Sequence, residues 1–349
     1  MYNIVRTAEL SACGIDSRVI RSALSCCLLR LSYGVFTIVS RCQDFRHSRI
    51  AALITDDEWI TRSIEHRARE GGGVDFDYLG TVEKLRIASY PHYRDGDVIC
   101  GTSAAVIHEL PMRRLPRGPI TIAHPSARRK SEVISRTTRE IPQEDIVHVG
   151  KMVLTSPVRT SFDLIAILGE AEAFAALEHT LRRAVFGADP EIGRCGYPPD
   201  TSEWAAEKRE RLFRPCLERL PTRRRRALRL LEHAGPLSES YAESRCSYDL
   251  LMLGLREFEQ QVEIYDGRQR LARVDFLHRG SKTILMVDGA GKYVLNGFPL
   301  MRRESDQHNR LLALGYRIVR FSFDDVIDLE AFATKLFMQA PHLRQWQRP

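Results

Sequence analysis

The stretch ARVDFLHRGSKTILMVDGAGKY, residues 272–293, alternates apolar and polar positions as two paired strands do, with a turn centred near residue 280. Counting outward from that turn, Asp275 falls opposite about Leu285 or Met286, and Asp288 lies two or three positions further along. Acids that point to one face of neighbouring strands can share a cation, so Asp275 and Asp288 are a candidate magnesium site. Such an ion polarises a phosphodiester and lowers the pKa of the attacking water. Glu243, on the helix before the strands, could supply a third oxygen, and Lys292 is the nearest downstream amine. The plainer alternative is structural. Asp288 before Gly289 is a common turn pair, and Asp275 could pair with Arg273 or Arg320.

Working outward, the last third reads as helix (about 238–254), strands (about 260–266, 270–277 and 282–288), helix (about 300–314), strand (316–321) and helix (325–338). This order predicts a mixed sheet with helices on both sides, an α/β (α+β) domain with an αβββαβ core. Before it, residues 188–222 combine a proline- and glycine-bearing stretch with a charged helix, and are the expected linker. RRRR at 223–226 opens the next helix, either along a DNA backbone or as a solvated face.

At the other end, residues 7–39 read as helix, a turn at Gly14, a second helix capped by Asp16, and a hairpin turning near Tyr33 and Gly34. That is the winged helix-turn-helix order. Its second helix enters the major groove, so Arg18 and Arg21 would face double-stranded DNA while Val19, Ile20, Ala23 and Leu24 pack inward. Arg30 on the wing is placed for a phosphate. The alternative is a small helical cap with solvated arginines. The expected division is a winged helix over 1–60, an α/β domain over 61–187, the linker, and the C-terminal domain over 223–349.

Within 61–187, residues 62–97 carry GGG at 71–73, DFDY and PHYRDGD, and read as an exposed loop or insertion. Beyond it come a buried strand leading into a helix (DVICGTSAAVIHELPM), the strand GPITIAHP, and a helix opened by Ser156 as N-cap with Pro157 at its first position. His108 and His179 read as packing or surface residues.

The 349 residues are 44% hydrophobic and 28% charged, which excludes a disordered chain and allows two or three cores. No apolar run is long enough to span a bilayer and the first residues lack signal-peptide order, so the expected compartment is the cytoplasm, with no membrane partner. Net charge is +7, from 52 Lys and Arg against 45 Asp and Glu. The excess of arginine favours an anionic partner such as nucleic acid, or reflects only a high-GC genome. The eight cysteines are scattered without a CxxC, so buried free thiols are expected and a zinc site or disulfide framework is not.

The segments ESYAESRC (239–246), RVDF (273–276), VDGAGKY (287–293) and DQHNRLLALGYRIVRFSFDDV (306–326) resemble the very-short-patch-repair-endonuclease-like domain of the PD-(D/E)XK nuclease superfamily. LRLSYGVFTIV, SAAVIHELPM and TSPVRTSFDL are similar to the AbiEi-type antitoxin module that precedes such domains in many actinobacterial proteins. The resemblance implies a restriction-endonuclease-like fold, a metal site at Glu243, Asp275 and Asp288, a cognate toxin as partner, and autoregulation of an operon. Two positions depart from the pattern. Met286 stands where these domains carry glutamate, and His308 and Asn309 where they carry an Arg and Asp pair. A thioether is a poor ligand for a hard cation. The reading is therefore a DNA-binding, antitoxin-like regulator with a degenerate nuclease-fold domain. The alternatives are a metal-dependent DNA endonuclease of the repair or defence type, and a protein that binds only another protein.

Overall fold

The computed structural model describes residues 2–68, 75–189, 191–193, 196–288 and 298–348; over 298–305 it describes the backbone. The chain forms two compact units, Met1–Glu109 with Arg114–Thr155, and Leu110–Arg113 with Ser156–Pro349. Both are mixed α/β. Among the described residues no helix is long and apolar enough to cross a membrane.

The first unit opens with β1 (Ile4–Arg6), α1 (Thr7–Ala12), α2 (Ser17–Ala23), β2 (Leu28–Ser32) and β3 (Val35–Ile38). The strands form an antiparallel sheet in the order β1-β3-β2. Between the helices Gly14 has φ +71°, and a side chain there would collide with the guanidinium of Arg49. Asp16 caps α2 by accepting from the backbone N–H groups of Arg18 (2.8 Å) and Val19 (2.9 Å). Those two bonds, Val19's first, hold its carboxyl below the usual aspartate value. Ile20 and Ala23 are buried with Leu10, Phe36 and Ile38, and Val19 and Leu24 pack against them, as the helical spacing predicts.

Then follow α3 (Ser48–Ala51), α4 (Asp57–Ala68) and α5 (Phe76–Ala88). The segment 62–97 is thus not the exposed loop its glycines and turn residues suggest. Trp59 of α4 stacks on Tyr78 of α5 at 5.1 Å, and Tyr78, Leu85 and Ile87 are buried. The GGG at 71–73 lies outside the described residues. The second part holds β4 (Val98–Ile99), α6 (Gly101–Ile107), β5 (Ile120–His124), β6 (Arg129–Lys130), β7 (Ile134–Thr138), β8 (Ile146–Val149) and β9 (Met152–Thr155), a mixed sheet in the order β6-β7-β5-β4-β9-β8. Asp97 and Arg136 form a buried two-pronged ion pair with both bonds at 2.6 Å. His108 bonds the carbonyl of Thr155 at 2.7 Å, a packing role.

The second unit begins with α7 (Pro157–Ile167), capped by Ser156 as expected, and α8 (Glu170–Phe186). These helices belong with the C-terminal unit, whereas the sequence division left them with the preceding α/β segment. Tyr241 donates to Glu172 of α8 at 2.6 Å, and Phe174 meets Tyr248 at 5.7 Å. The expected linker contains α9 (Thr201–Lys208), which continues through a single wide turn, Arg209–Phe213, into α10 (Arg214–Glu218). The arginine run opens α11 (Arg224–His233), where Arg226 and Arg229 both reach Glu170.

The remaining elements are α12 (Tyr241–Met252), β10 (Phe258–Asp266), β11 (Gln269–His278), β12 (Thr283–Val287), α13 (Phe298–Ala313), β13 (Arg317–Phe321), α14 (Phe323–Val326) and α15 (Leu329–Gln339). The sheet runs β10-β11-β12-β13, with the first three strands antiparallel and the last parallel to β12. Ala242, Cys246 and Leu250 of α12 and Phe332 and Leu336 of α15 cover one face with Phe276, Leu285, Val287 and Phe321. Leu311 of α13 covers the other, with Val262, Ile264, Val274 and Ile284. Helices flank both faces, as the αβββαβ order predicts.

Candidate functional site

The turn at Arg279–Ser281 sets the register Phe276↔Leu285 between β11 and β12, and the ladder goes no further. Past that point the Asp275 side chain replaces a backbone acceptor: its Oδ2 takes the N–H of Val287 at 2.7 Å. Glu243, in the first turn of α12, is 9% exposed. One of its oxygens accepts from the Glu239 N–H and from Gln261 Nε2, each at 2.9 Å, and the other meets Ser240 Oγ at 2.9 Å. Burial, then the charge of Asp275, pushes the Glu243 carboxyl up to about 7. The fold therefore brings Glu243 and Asp275 within electrostatic reach.

Asp288 does not join them. Its carboxylate stands 3.6 Å from Arg320 Nη1. Arg320 sits opposite Met286 in the parallel register, and Met286 packs, with Leu271, Leu314, Tyr316 and Ile318, against the apolar cluster that contains Val262, Ile264, Val274 and Ile284. Leu285 and Val287 face the other core, so the chain's alternation carries Met286 away from α12. Arg273 turns to Glu239 instead, at 2.9 Å. Lys292 and Gly289 lie outside the described residues. Magnesium prefers near-octahedral oxygen ligation through one or two carboxylates and several waters. Here the oxygens of Glu243 and one oxygen of Asp275 already hold protein donors, and Asp288 is turned to a guanidinium. This donor set does not fit the ion as it stands.

In the first unit, Arg18 and Arg21 on α2 and Arg30 on β2 are all exposed, and among the described residues none of the three makes an ion pair. Arg30 lies over the ring of Phe36 at 5.8 Å, which holds its stem against the hairpin. The buried face of α2 fixes the helix while its arginines remain open to an anion.

Behind α2 lies a group that the spacing argument missed. Among the described residues, the one set of three or more cysteine, histidine or acidic ligand atoms lying within 4.8 Å of one another is Cys26, Cys27, Cys42 and His47. Cys26 and Cys27 follow α2, while Cys42 and His47 come from the segment after β3. Burial pushes the thiols of Cys26 and Cys27 upward, so they stay protonated unless a cation draws the protons off. The signal available in sequence was the four-residue gap between Cys42 and His47. No CxxC accompanied it, because the other two ligands are adjacent residues.

Comparison of the chain with protein-family models, curated proteins and solved structures gives no match.

Proposed function

We propose that this protein is a double-stranded-DNA-binding regulator of the AbiEi-like antitoxin kind, acting in the cytoplasm with a cognate toxin as partner. In this reading the first unit begins with a winged helix-turn-helix. The observation that carries it is the three exposed arginines, two on α2 and one on the hairpin, on a helix and wing whose opposite face is locked by Ile20 and Ala23. Guanidinium groups so placed match phosphate oxygens and guanine edges.

The second unit is read as a restriction-endonuclease-like domain that serves in binding and does not cut. The order α12-β10-β11-β12-α13-β13, with β13 parallel to β12, supports the fold. The pairing of Asp288 with Arg320 and the apolar setting of Met286 support the loss of cleavage. An endonuclease mechanism gains no support from the present arrangement of Glu243, Asp275 and Asp288.

The test is duplex binding by the full chain and by Arg21→Ala. A groove contact by Arg21 predicts a loss of roughly 1–3 kcal/mol, about 5- to 150-fold in affinity. Unchanged affinity removes α2 as the reading helix.

A further inference from the structure

We infer that Cys26, Cys27, Cys42 and His47 form a structural zinc site that pins the end of α2 to the segment following β3. The inference stands on coordination geometry and is independent of whether α2 reads DNA.

A tetrahedral zinc ion about 2.3 Å from sulfur and about 2.0 Å from nitrogen sets sulfur–sulfur edges near 3.8 Å and sulfur–nitrogen edges near 3.5 Å. The corresponding edges here are Cys26–Cys27 at 3.7 Å and Cys26–Cys42 at 3.5 Å between sulfurs. From His47 Nδ1 to the sulfurs of Cys42, Cys26 and Cys27 they are 3.3, 3.4 and 3.9 Å. Four side chains from two separate segments thus already outline a mononuclear tetrahedron. The ligands of an iron–sulfur cluster are divided between two or four irons, so all four do not gather around one point as they do here.

The imidazole is oriented as a ligand requires. His47 Nε2 faces Ser22 Oγ at 2.9 Å, and that hydroxyl donates to the Val19 carbonyl at 2.9 Å, so its lone pair is left to accept the Nε2–H. The proton then resides on Nε2 and the Nδ1 lone pair points at the three sulfurs. His47 is 2% exposed, and Cys27 is buried with it. Three soft sulfurs and one imidazole select zinc among available divalent ions, and four protein ligands leave no open position for catalysis. Binding releases three thiol protons to solvent and leaves a net charge of −1. The guanidinium of Arg46 lies within electrostatic reach of Cys26 and Cys42, and that of Arg67 bonds the Cys26 carbonyl at 2.6 Å.

The experiment is metal analysis of the full chain purified under reducing conditions, followed by exchange to cobalt. One zinc per chain is expected, and the cobalt form should show the intense ligand-field and thiolate charge-transfer bands of a tetrahedral sulfur-rich site. Cys42→Ser should abolish those bands. Ser22→Ala keeps all four ligands and should weaken zinc in chelator competition by roughly 10–100-fold. Cys13→Ser, at an exposed thiol outside the group, should change nothing. Two results on the wild type alone would overturn the inference: reduced, folded protein that takes up neither metal, or a Cys26–Cys42 disulfide in metal-free protein as isolated.

Discussion

Glu243 is a carboxyl whose titration the fold alters measurably. Burial, then the charge of Asp275, pushes its carboxyl up to about 7 from the ordinary glutamate value near 4.5. In the unfolded chain the group ionises first, and the folded state holds the proton longer. The stability associated with that proton is fully present below about pH 4.5 and is lost as pH rises through about 7. A shift of this size corresponds to something on the order of 3 kcal/mol, with a slope of about 1.4 kcal/mol per pH unit between those limits. Glu178 and Asp249, each also pushed up to about 7 by burial, add slopes of the same sign in the same unit. Glu243→Gln is a near-isostere of the neutral acid. Its amide oxygen can accept from Glu239 and Gln261, and its NH2 can donate to Ser240 Oγ. The variant should gain stability at pH 8 relative to the wild type, and its slope between pH 5 and 7 should differ from that of the wild type by about 1.4 kcal/mol per pH unit. Urea unfolding of the full chain in a Trp59→Phe background, followed by the fluorescence of Trp204 and Trp346, isolates the second unit. Equal slopes for wild type and Glu243→Gln would refute the claim that this carboxyl is neutral in the native site.

Two further outcomes follow from the same geometry. Removing Asp97 strands Arg136 in a core where both side chains are 1% exposed, so Asp97→Ala should cost the first unit about 3–5 kcal/mol; a loss below about 1 kcal/mol in thermal unfolding would contradict this. With magnesium, the wild type should leave supercoiled plasmid intact, and Met286→Glu should restore no cleavage because the new carboxylate meets Arg320; wild-type nicking that Asp275→Ala abolishes would show a working nuclease.

Much of the C-terminal unit was legible because its strands bury alternate residues and its helices bury one stripe. The turn near residue 280 and an approach of Asp275 to about Leu285 or Met286 on the next strand follow from counting. Counting cannot show that the ladder stops at Phe276↔Leu285, so that Asp275 bonds Val287, or that Asp288 turns to Arg320. Those outcomes depend on where strands separate. Helices α4 and α5 were hidden because glycines and turn residues dominate the segment, and α5 spreads its apolar residues around the helix rather than along one stripe. The boundary after Thr155 was hidden because α7 and α8 pair with helices more than 50 residues onward, as in the bond from Gly235 to Glu178 at 3.1 Å. The thiol group was missed for a similar reason. Its ligands come from two segments that only the packing of α2 against β3 and its following turn brings together.

The most direct test of the account is the salt dependence of duplex binding by the full chain, compared with a variant in which Arg18, Arg21 and Arg30 are all alanine. Phosphate neutralisation releases counterions, so the affinity of the wild type should fall steeply with salt, and the triple variant should lose up to about three units of the log–log slope. Binding that is absent, insensitive to salt, or of equal slope in both proteins would contradict the assignment of this surface to DNA.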